Sequence, residues 1–219
     1  TPGQGQYRDL EVFRKTMKGY RDISDEDVNV VILERKSREQ LTLEKMKKVA
    51  QIAIDKGIAV ASHDDDHVEK LQLVKSFGTT ISEFPITLDV AKQAKQLGLQ
   101  TIVGAPNILL GGSHSGNLSA KEAIDEKAAD ILCSDYYPAS LLHAVFALHD
   151  KYGKNLCDMF NMVTLNPAKA VRLDHELGSI EPGKKADLLV IERLDDGYPT
   201  LTKTIVNGSL MTMTNYRTD

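Results

Sequence analysis

A repeated strand–helix unit constrains the fold of this chain more than any other feature of its sequence. Short apolar segments alternate with longer segments in which apolar residues recur at helical spacing, as Leu43, Met46 and Val49 do. The apolar segments are residues 58–62, 79–82, 99–103 and 130–134. Strands that alternate with helices in this way predict an α/β fold in which a parallel sheet is built with right-handed crossovers.

Polar or ionisable side chains follow each of these predicted strands. They are the run from His63 to Asp66, then Glu83, Asn107 and Asp135. Because the carboxyl ends of parallel strands share one edge of a sheet, we expect these side chains to converge. The sequence therefore predicts a functional site at that edge.

Capping residues mark the expected starts of several helices. Ser24, Asp66, Thr87 and Ser119 each precede a segment of helical periodicity, and their side chains suit the N-cap position. Residues 8–37 are predicted to be helical in one or two pieces, and residues 139–172 form further helix that is broken near Gly153.

The pattern changes after about residue 177. Residues 186–192 read as a buried strand, and residues 204–212 read as a hairpin around an Asn207-Gly208 turn. These segments predict a small β appendage to the α/β part of the chain.

Composition and charge restrict the kind of protein further. The 219 residues are 42% hydrophobic and 26% charged, and no apolar run reaches the length of about 18 residues that a membrane span needs. The first six residues lack the basic and apolar regions of a signal peptide, and Cys133 and Cys157 are expected to be buried thiols in a reducing cytosol. A net charge of -4 argues against nucleic acid as a partner. We therefore expect a cytoplasmic protein that binds neither membranes nor nucleic acid.

The end of the chain resembles the closing segment of the amidohydrolase superfamily. The similarity lies in Gly178–Ile191, in Val206-Asn207-Gly208 and, just upstream, in residues 166–170. In that superfamily such a segment completes a small β-sandwich beside a (β/α)₈ barrel that binds metal. The resemblance implies a partial barrel over residues 1–177 and sandwich strands over residues 178–219.

The middle of the chain resembles one branch of that superfamily, the α-D-ribose 1-methylphosphonate 5-triphosphate diphosphatases of the carbon–phosphorus lyase pathway. The motifs that carry this similarity occur in order at residues 61–66, 81–85, 104–107, 111–117 and 134–140, and the opening residues 1–7 are also similar. The resemblance implies a hydrolase that releases pyrophosphate from a phosphorylated sugar. Two alternatives are a hydrolase of C–N bonds in a cyclic amide or N-acetyl sugar, and an inactive folded fragment.

One departure from the superfamily concerns the N-terminal ligands. Members carry a His-x-His pair after their first strand, and this sequence contains none. By resemblance the strand before His63 is the fifth and the strand before Asp135 is the eighth. A closed barrel usually needs about 250 residues, so we expect half a barrel with exposed edges. The expected partner is the missing N-terminal half or a second copy of the chain.

The resemblance also implies roles in metal binding. Asp135 is expected to bind metal and to take a proton from the attacking water. The alternative is that Asp135 caps the helix that follows it. His63 is the expected ligand from the fifth strand, and Asp65 or its neighbour Asp64 is expected to bind metal or to orient His63. Glu83 stands where many members have a histidine. A carboxylate at this position favours Mn²⁺ or Mg²⁺, beside Zn²⁺, as the divalent metal. The alternative is that Glu83 orients a ligand or fixes the substrate.

Substrate contacts are expected from the loop at residues 111–117 and from two other strand ends. Ser113 and His114 lie among small residues whose amides can form an anion nest, and His114 is a candidate proton donor to the leaving group. Asn107 and Tyr136 are expected to line the pocket, and residues 1–7 are a candidate substrate loop. A flexible loop without function is the alternative for residues 111–117.

Overall fold

The predicted alternation of strands and helices is present in the computed structural model, which describes residues 2–3, 5–7, 9–37, 41–113 and 116–216. A short 3₁₀ helix spans Gly5–Tyr7. The α-helices are α1 Leu10–Tyr20, α2 Asp25–Ser37, α3 Leu43–Asp55, α4 Val68–Ser76, α5 Leu88–Gln96, α6 Ala105–Leu110, α7 Ala120–Asp125, α8 Ser140–Tyr152, α9 Leu156–Asn161 and α10 Leu165–Ala170. The strands are β1 Ala61–His63, β2 Ile81–Glu83, β3 Gln100–Gly104, β4 Ile131–Cys133, β5 Leu188–Arg193, β6 Pro199–Val206 and β7 Ser209–Met213.

The chain forms two compact units. The first contains the residues up to Val103 together with Leu110–Ala129, and the second contains Gly104–Leu109 and the residues from Asp130 onward. The first unit therefore holds β1 and β2 with most of β3, and the second holds β4 and the three strands that follow it.

Parallel pairing organises the first unit. Strand β1 pairs with β2 so that His63 lies opposite Glu83, and β2 pairs with β3 so that Glu83 lies opposite Ile102. Helices α4 and α5 pack beside this sheet through a buried apolar cluster formed by Leu71, Val90, Ala94 and Leu99. Burial of such side chains is the main driving force for the docking of these helices.

Local capping explains where several helices start. Ser24 and Asp27 cap α2 reciprocally, since the Ser24 Oγ accepts from the Asp27 amide and the Asp27 carboxylate accepts from the Ser24 amide. Thr87 and Ser119 cap α5 and α7 as predicted. The prediction for Asp66 is wrong: α4 begins at Val68 with His67 at its N-cap, and no side chain caps it.

Antiparallel strands β5, β6 and β7 form a separate sheet in the second unit. The hairpin between β6 and β7 turns at Asn207 and Gly208, both at positive φ, as the sequence predicts. Helix α8 ends at Gly153, which confirms the predicted break. The prediction that β5 is buried is wrong, since Leu189 on this strand is 59% exposed.

Two further expectations concern thiols and membranes. Cys157 is exposed and Cys133 is partly buried, so the expectation of two buried thiols is wrong for Cys157. Within the described ranges, every helix falls short of the length or the apolar character that a membrane span demands.

Candidate active site

The carboxyl ends of β1 and β2 bring together two of the predicted site residues. His63 and Glu83 are the last residues of these strands and are register partners. The His63 side chain is 55% exposed, and the Glu83 side chain is partly buried beside it. The predicted convergence is therefore present for this pair of residues.

The backbone turns in the same unusual way directly after each of these strands. Asp64 and Phe84 both have left-handed conformations, with φ of 54° and 55°. The Asp64 amide donates to the Glu83 carbonyl at 2.9 Å, and the Phe84 amide donates to the Ile102 carbonyl at 3.0 Å. A left-handed residue other than glycine costs about 1–3 kcal/mol, and such residues cluster at functional sites.

The His63 imidazole contacts both of these turn residues. Its Nδ1 lies 3.2 Å from Asp64 Oδ1, and its ring stands edge-on to the Phe84 ring with centroids 5.3 Å apart. The hydrogen bond to Asp64 raises the pKa of His63, and the Glu83 charge adds to this effect, while burial and Lys70 oppose it. Because a metal binds neutral imidazole, metal binding at His63 would compete with a proton.

Asp65 does not point to the open edge. It is fully buried, and its Oδ2 accepts hydrogen bonds from the Ser62 hydroxyl at 2.6 Å and the Ser82 hydroxyl at 2.5 Å. Strand alternation would place residues 63 and 65 on the same face, but the left-handed turn at Asp64 breaks that alternation. The carboxylate beside the imidazole is consequently that of Asp64, the alternative to Asp65 for orienting His63.

The N-terminal segment lies against the same strand end. The Gly5 amide donates to Asp66 Oδ2 at 3.1 Å, which explains why Asp66 does not cap α4. A Cβ at Gly5 would lie only 2.7 Å from Asp64 Cβ, so a side chain at this position would collide with the turn. Sequence patterns give no signal for this contact, since 61 residues separate Gly5 from Asp66.

The second unit carries Asp135, Tyr136 and Asn107. Asp135 follows β4 in a left-handed conformation with φ of 48° and is exposed, as is Tyr136. Ala139 occupies the N-cap of α8, where no side chain makes a capping hydrogen bond, so Asp135 is not a helix cap. Asn107 is partly buried and lies in α6, directly after β3.

The Gly/Ser-rich loop is described only in part. The Ser113 hydroxyl accepts from the Asn117 amide at 3.3 Å, and the Ser113 carbonyl accepts from the Gly116 amide at 3.3 Å. His114 and Ser115 lie outside the described residues, so the roles predicted for His114 stay predictions.

The donors at the first strand ends suit a divalent cation. The exposed His63 imidazole and the Glu83 carboxylate are types of ligand that Zn²⁺ and Mn²⁺ accept, and Asp64 is placed to orient the imidazole. In the part of the chain that the structure describes, no group of three or more His, Cys, Asp or Glu residues is arranged to hold a metal. His63 and Glu83 thus fit as part of a ligand set.

Comparison with known proteins places this geometry in a family. The model of the amidohydrolase family matches residues 6–213. The α-D-ribose 1-methylphosphonate 5-triphosphate diphosphatase of Escherichia coli K12 is 36% identical over 204 residues, which cover 90% of this chain and 52% of the relative. An adenine deaminase of Clostridium botulinum is 36% identical over 94 residues, which cover 40% of this chain and 15% of the deaminase.

Solved structures share the fold. An amidohydrolase from Thermotoga maritima MSB8 superimposes with a TM-score of 0.62 at 21% identity, over 93% of this chain and 54% of the other. The ochratoxinase of A. niger gives a TM-score of 0.59 at 16% identity, over 80% of this chain and 46% of the other. The fold is that of a metallo-dependent hydrolase barrel in part, with strands of its β-sandwich, and the chain spans about half the length of these proteins. The chain belongs to the amidohydrolase family.

Proposed function

We propose that this chain is part of a metal-dependent hydrolase that releases pyrophosphate from α-D-ribose 1-methylphosphonate 5-triphosphate. The observation that carries this proposal is the 36% identity to the E. coli diphosphatase, which extends over 90% of the chain. The exposed polar residues at the strand ends support it, because a hydrolase needs a base and ligands that reach solvent.

His63 and Glu83 of the first unit are proposed as metal ligands, and the family resemblance supports the same role for Asp135 of the second unit. A divalent cation such as Zn²⁺, Mn²⁺ or Mg²⁺ would supply Lewis acidity that draws charge from the phosphoryl oxygens. Asp135 accepts the proton of the water that attacks phosphorus. The new oxygen–phosphorus bond forms as the bond to the bridging oxygen breaks, pyrophosphate departs, and a ribose 5-phosphate with a methylphosphonate at C1 remains.

Four residues are proposed to bind the substrate. Ser113 and His114 belong to the loop of small residues, in which backbone amides can approach phosphate oxygens closely. His114 is proposed to protonate the leaving pyrophosphate. Asn107 and the exposed Tyr136 are proposed to contact the phosphates or the sugar.

Measurement of pyrophosphate release from the triphosphate by the intact protein, with each metal supplied in turn, tests this function. The Asp135→Asn variant is expected to lower kcat by about 10²–10⁴-fold, as loss of a general base does. Asp195→Asn, which changes an exposed carboxylate on the β5–β6 turn, is the matched control and should leave kcat unchanged. Absence of pyrophosphate release with Zn²⁺, Mn²⁺ and Mg²⁺ would refute the proposal.

A C–N hydrolase is the second candidate, and the similarity to adenine deaminases favours it. That similarity covers 40% of the chain, against 90% for the diphosphatase. A screen with adenine, cyclic amides and N-acetyl sugars distinguishes the two functions, since the diphosphatase should turn over none of them.

We also propose that a second polypeptide covers the apolar face of α3. Leu43, Val49 and Ile52 on this helix are each about half exposed or more. Strand β1, with no partner besides β2 among the described residues, is an edge strand in the same unit. Open strand edges and large apolar patches are typical of protein interfaces.

A further inference from the structure

A buried carboxylate connects β1 and β2 just beneath the open strand ends. Asp65 Oδ2 accepts hydrogen bonds from the Ser62 and Ser82 hydroxyls, and these serines are register partners on the two strands. Its other oxygen, Oδ1, accepts no hydrogen bond from any residue in the described ranges and lies 3.4 Å from the Lys70 ammonium. The Lys70 ammonium therefore faces the buried carboxylate.

Lys70 joins this carboxylate to the turn that follows β1. Its ammonium donates to the His63 carbonyl at 2.9 Å and to the Asp64 carbonyl at 2.8 Å. The side chain reaches these atoms from α4 and is only 30% exposed. It thus uses two of its three donors on one short segment of backbone, while the Asp65 carboxylate lies beside it. Lys70 therefore holds the carbonyls on both sides of the left-handed Asp64 residue.

The direction of the His63 imidazole depends on this turn. His63 is the residue directly before the left-handed position, and its ring contacts Asp64 and Phe84, the two residues that adopt the unusual conformation. Relaxation of Asp64 to an extended conformation would move the carboxylate that lies beside Nδ1. The backbone at residues 63 and 64 thus sets the geometry of the exposed imidazole.

We propose that Lys70 and Asp65 are positioning residues for His63. Asp65 fixes the Lys70 ammonium, and Lys70 fixes the turn through the two carbonyls, so neither residue needs to touch metal or substrate. This role replaces metal binding for Asp65, whose carboxylate has no exposed surface. The value of the role for catalysis rests on the proposed function, whereas the effect on the turn does not.

Hydrogen exchange of single amides in the purified chain tests the effect on the turn. In Lys70→Met, exchange of the Asp64 amide, which bonds to the Glu83 carbonyl, and of the Ile86 amide, which bonds to the Asp65 carbonyl, is expected to accelerate about ten-fold or more. The amides in the centre of α5 should keep their protection. Lys70→Arg should restore much of the protection, since arginine keeps the charge and the donors.

Lys92→Met on the neighbouring helix α5 is the matched control. It removes an ammonium from an exposed ion pair with Glu126, at 2.7 Å, and should leave the Asp64 and Ile86 amides unchanged. If Lys70→Met does not fold, Asp65→Asn provides the same test, because it removes the charge that faces Lys70. Wild-type protection of Asp64 and Ile86 in the folded variants would overturn the proposal.

A second measurement separates this proposal from the proposed function. In the intact protein, Lys70→Met is expected to lower kcat for pyrophosphate release about 10–100-fold with a smaller change in KM, as loss of outer-shell support does. If the wild-type protein releases no pyrophosphate, the proposed function fails while the exchange experiment still decides the role of Lys70. Unchanged kcat beside accelerated exchange would limit Lys70 to a role in stability and overturn positioning.

Discussion

At the scale of single residues, backbone conformation decides what the strand ends present. Asp64, Phe84 and Asp135 are left-handed although none is glycine. Such a conformation persists only where neighbouring groups hold it, as the hydrogen bonds of Asp64 and Phe84 do. Sequence patterns identify these positions as polar or aromatic strand ends but cannot assign their φ angles, because the holding contacts come from other strands.

Two glycines in the motif shared with the amidohydrolase superfamily allow backbone strain to be separated from steric collision. Gly178 and Gly183 have nearly equal φ, 90° and 91°. A Cβ at Gly178 would lie 2.9 Å from the Leu165 Cα and 2.8 Å from the Ala168 Cβ, whereas nothing lies within 4 Å at Gly183. Either alanine should cost about 1–2 kcal/mol from backbone strain, and Gly178→Ala should lose about 1–3 kcal/mol more from overpacking.

Urea unfolding of the two alanine variants measures this difference in the free energy of unfolding. Gly183→Ala is the control, because its alanine has the same backbone strain but no steric collision. Equal losses in the two variants would show that the chain around Gly178 moves aside, and the predicted packing would be wrong.

At the scale of elements, one face of α8 holds the antiparallel sheet. The Arg193 guanidinium on β5 makes two hydrogen bonds to the Asp150 carboxylate, at 2.7 and 3.0 Å, and lies over the Phe146 ring. The Tyr198 hydroxyl lies 3.1 Å from His143 Nε2 on the same helix. These contacts recur at helical spacing, but the sequence gives no sign of them because their partners lie more than 40 residues away.

The Asp150–Arg193 pair predicts a pH dependence of stability. The hydrogen bond from Arg193 is the largest of the causes that lower the pKa of Asp150. Burial raises this pKa, and the positive charge of Arg193 lowers it further. A carboxyl whose folded pKa is lowered stabilises the fold above its ordinary pKa of about 4 and loses that effect as the pH falls through the folded value. Asp150→Asn should therefore lower the urea midpoint at pH 7 and matter progressively less below about pH 4.

A double-mutant cycle provides the control for this pH dependence. In the Arg193→Gln background, Asp150→Asn should have little effect at any pH, because the partner is gone. An Asp150→Asn effect of the same size at pH 7 and at pH 3 would contradict the assignment.

At the scale of the whole molecule, the chain leaves apolar surface uncovered. The exposed apolar face of α3 and the edge strand β1 belong to the same unit. The chain spans 52% of the length of the diphosphatase that it resembles. Exposed apolar patches of this kind favour association with another polypeptide.

The apolar face of α3 predicts that copies of this chain associate with one another in solution. Sedimentation velocity of the purified chain should show concentration-dependent association, because water is released from apolar surface when copies meet. The Val49→Lys/Ile52→Lys variant should shift the population towards monomer, while Lys47→Ala/Gln51→Ala on exposed polar positions of α3 should not. A wild-type chain that stays monomeric at about 100 μM, a concentration high enough for weak interfaces, would contradict this prediction.

The sequence by itself determined the α/β class, the hairpin at Asn207-Gly208, the caps at Ser24, Thr87 and Ser119, and the family. These features follow from periodicity and local hydrogen bonding, which act within a few residues. Only the tertiary structure decided which carboxylate serves which role. Asp65 is buried beneath the strand ends, Asp66 holds Gly5, and Asp64 lies beside His63. Three successive aspartates look alike in sequence, and the distant serines, glycine and lysine that distinguish them become neighbours only when the chain folds.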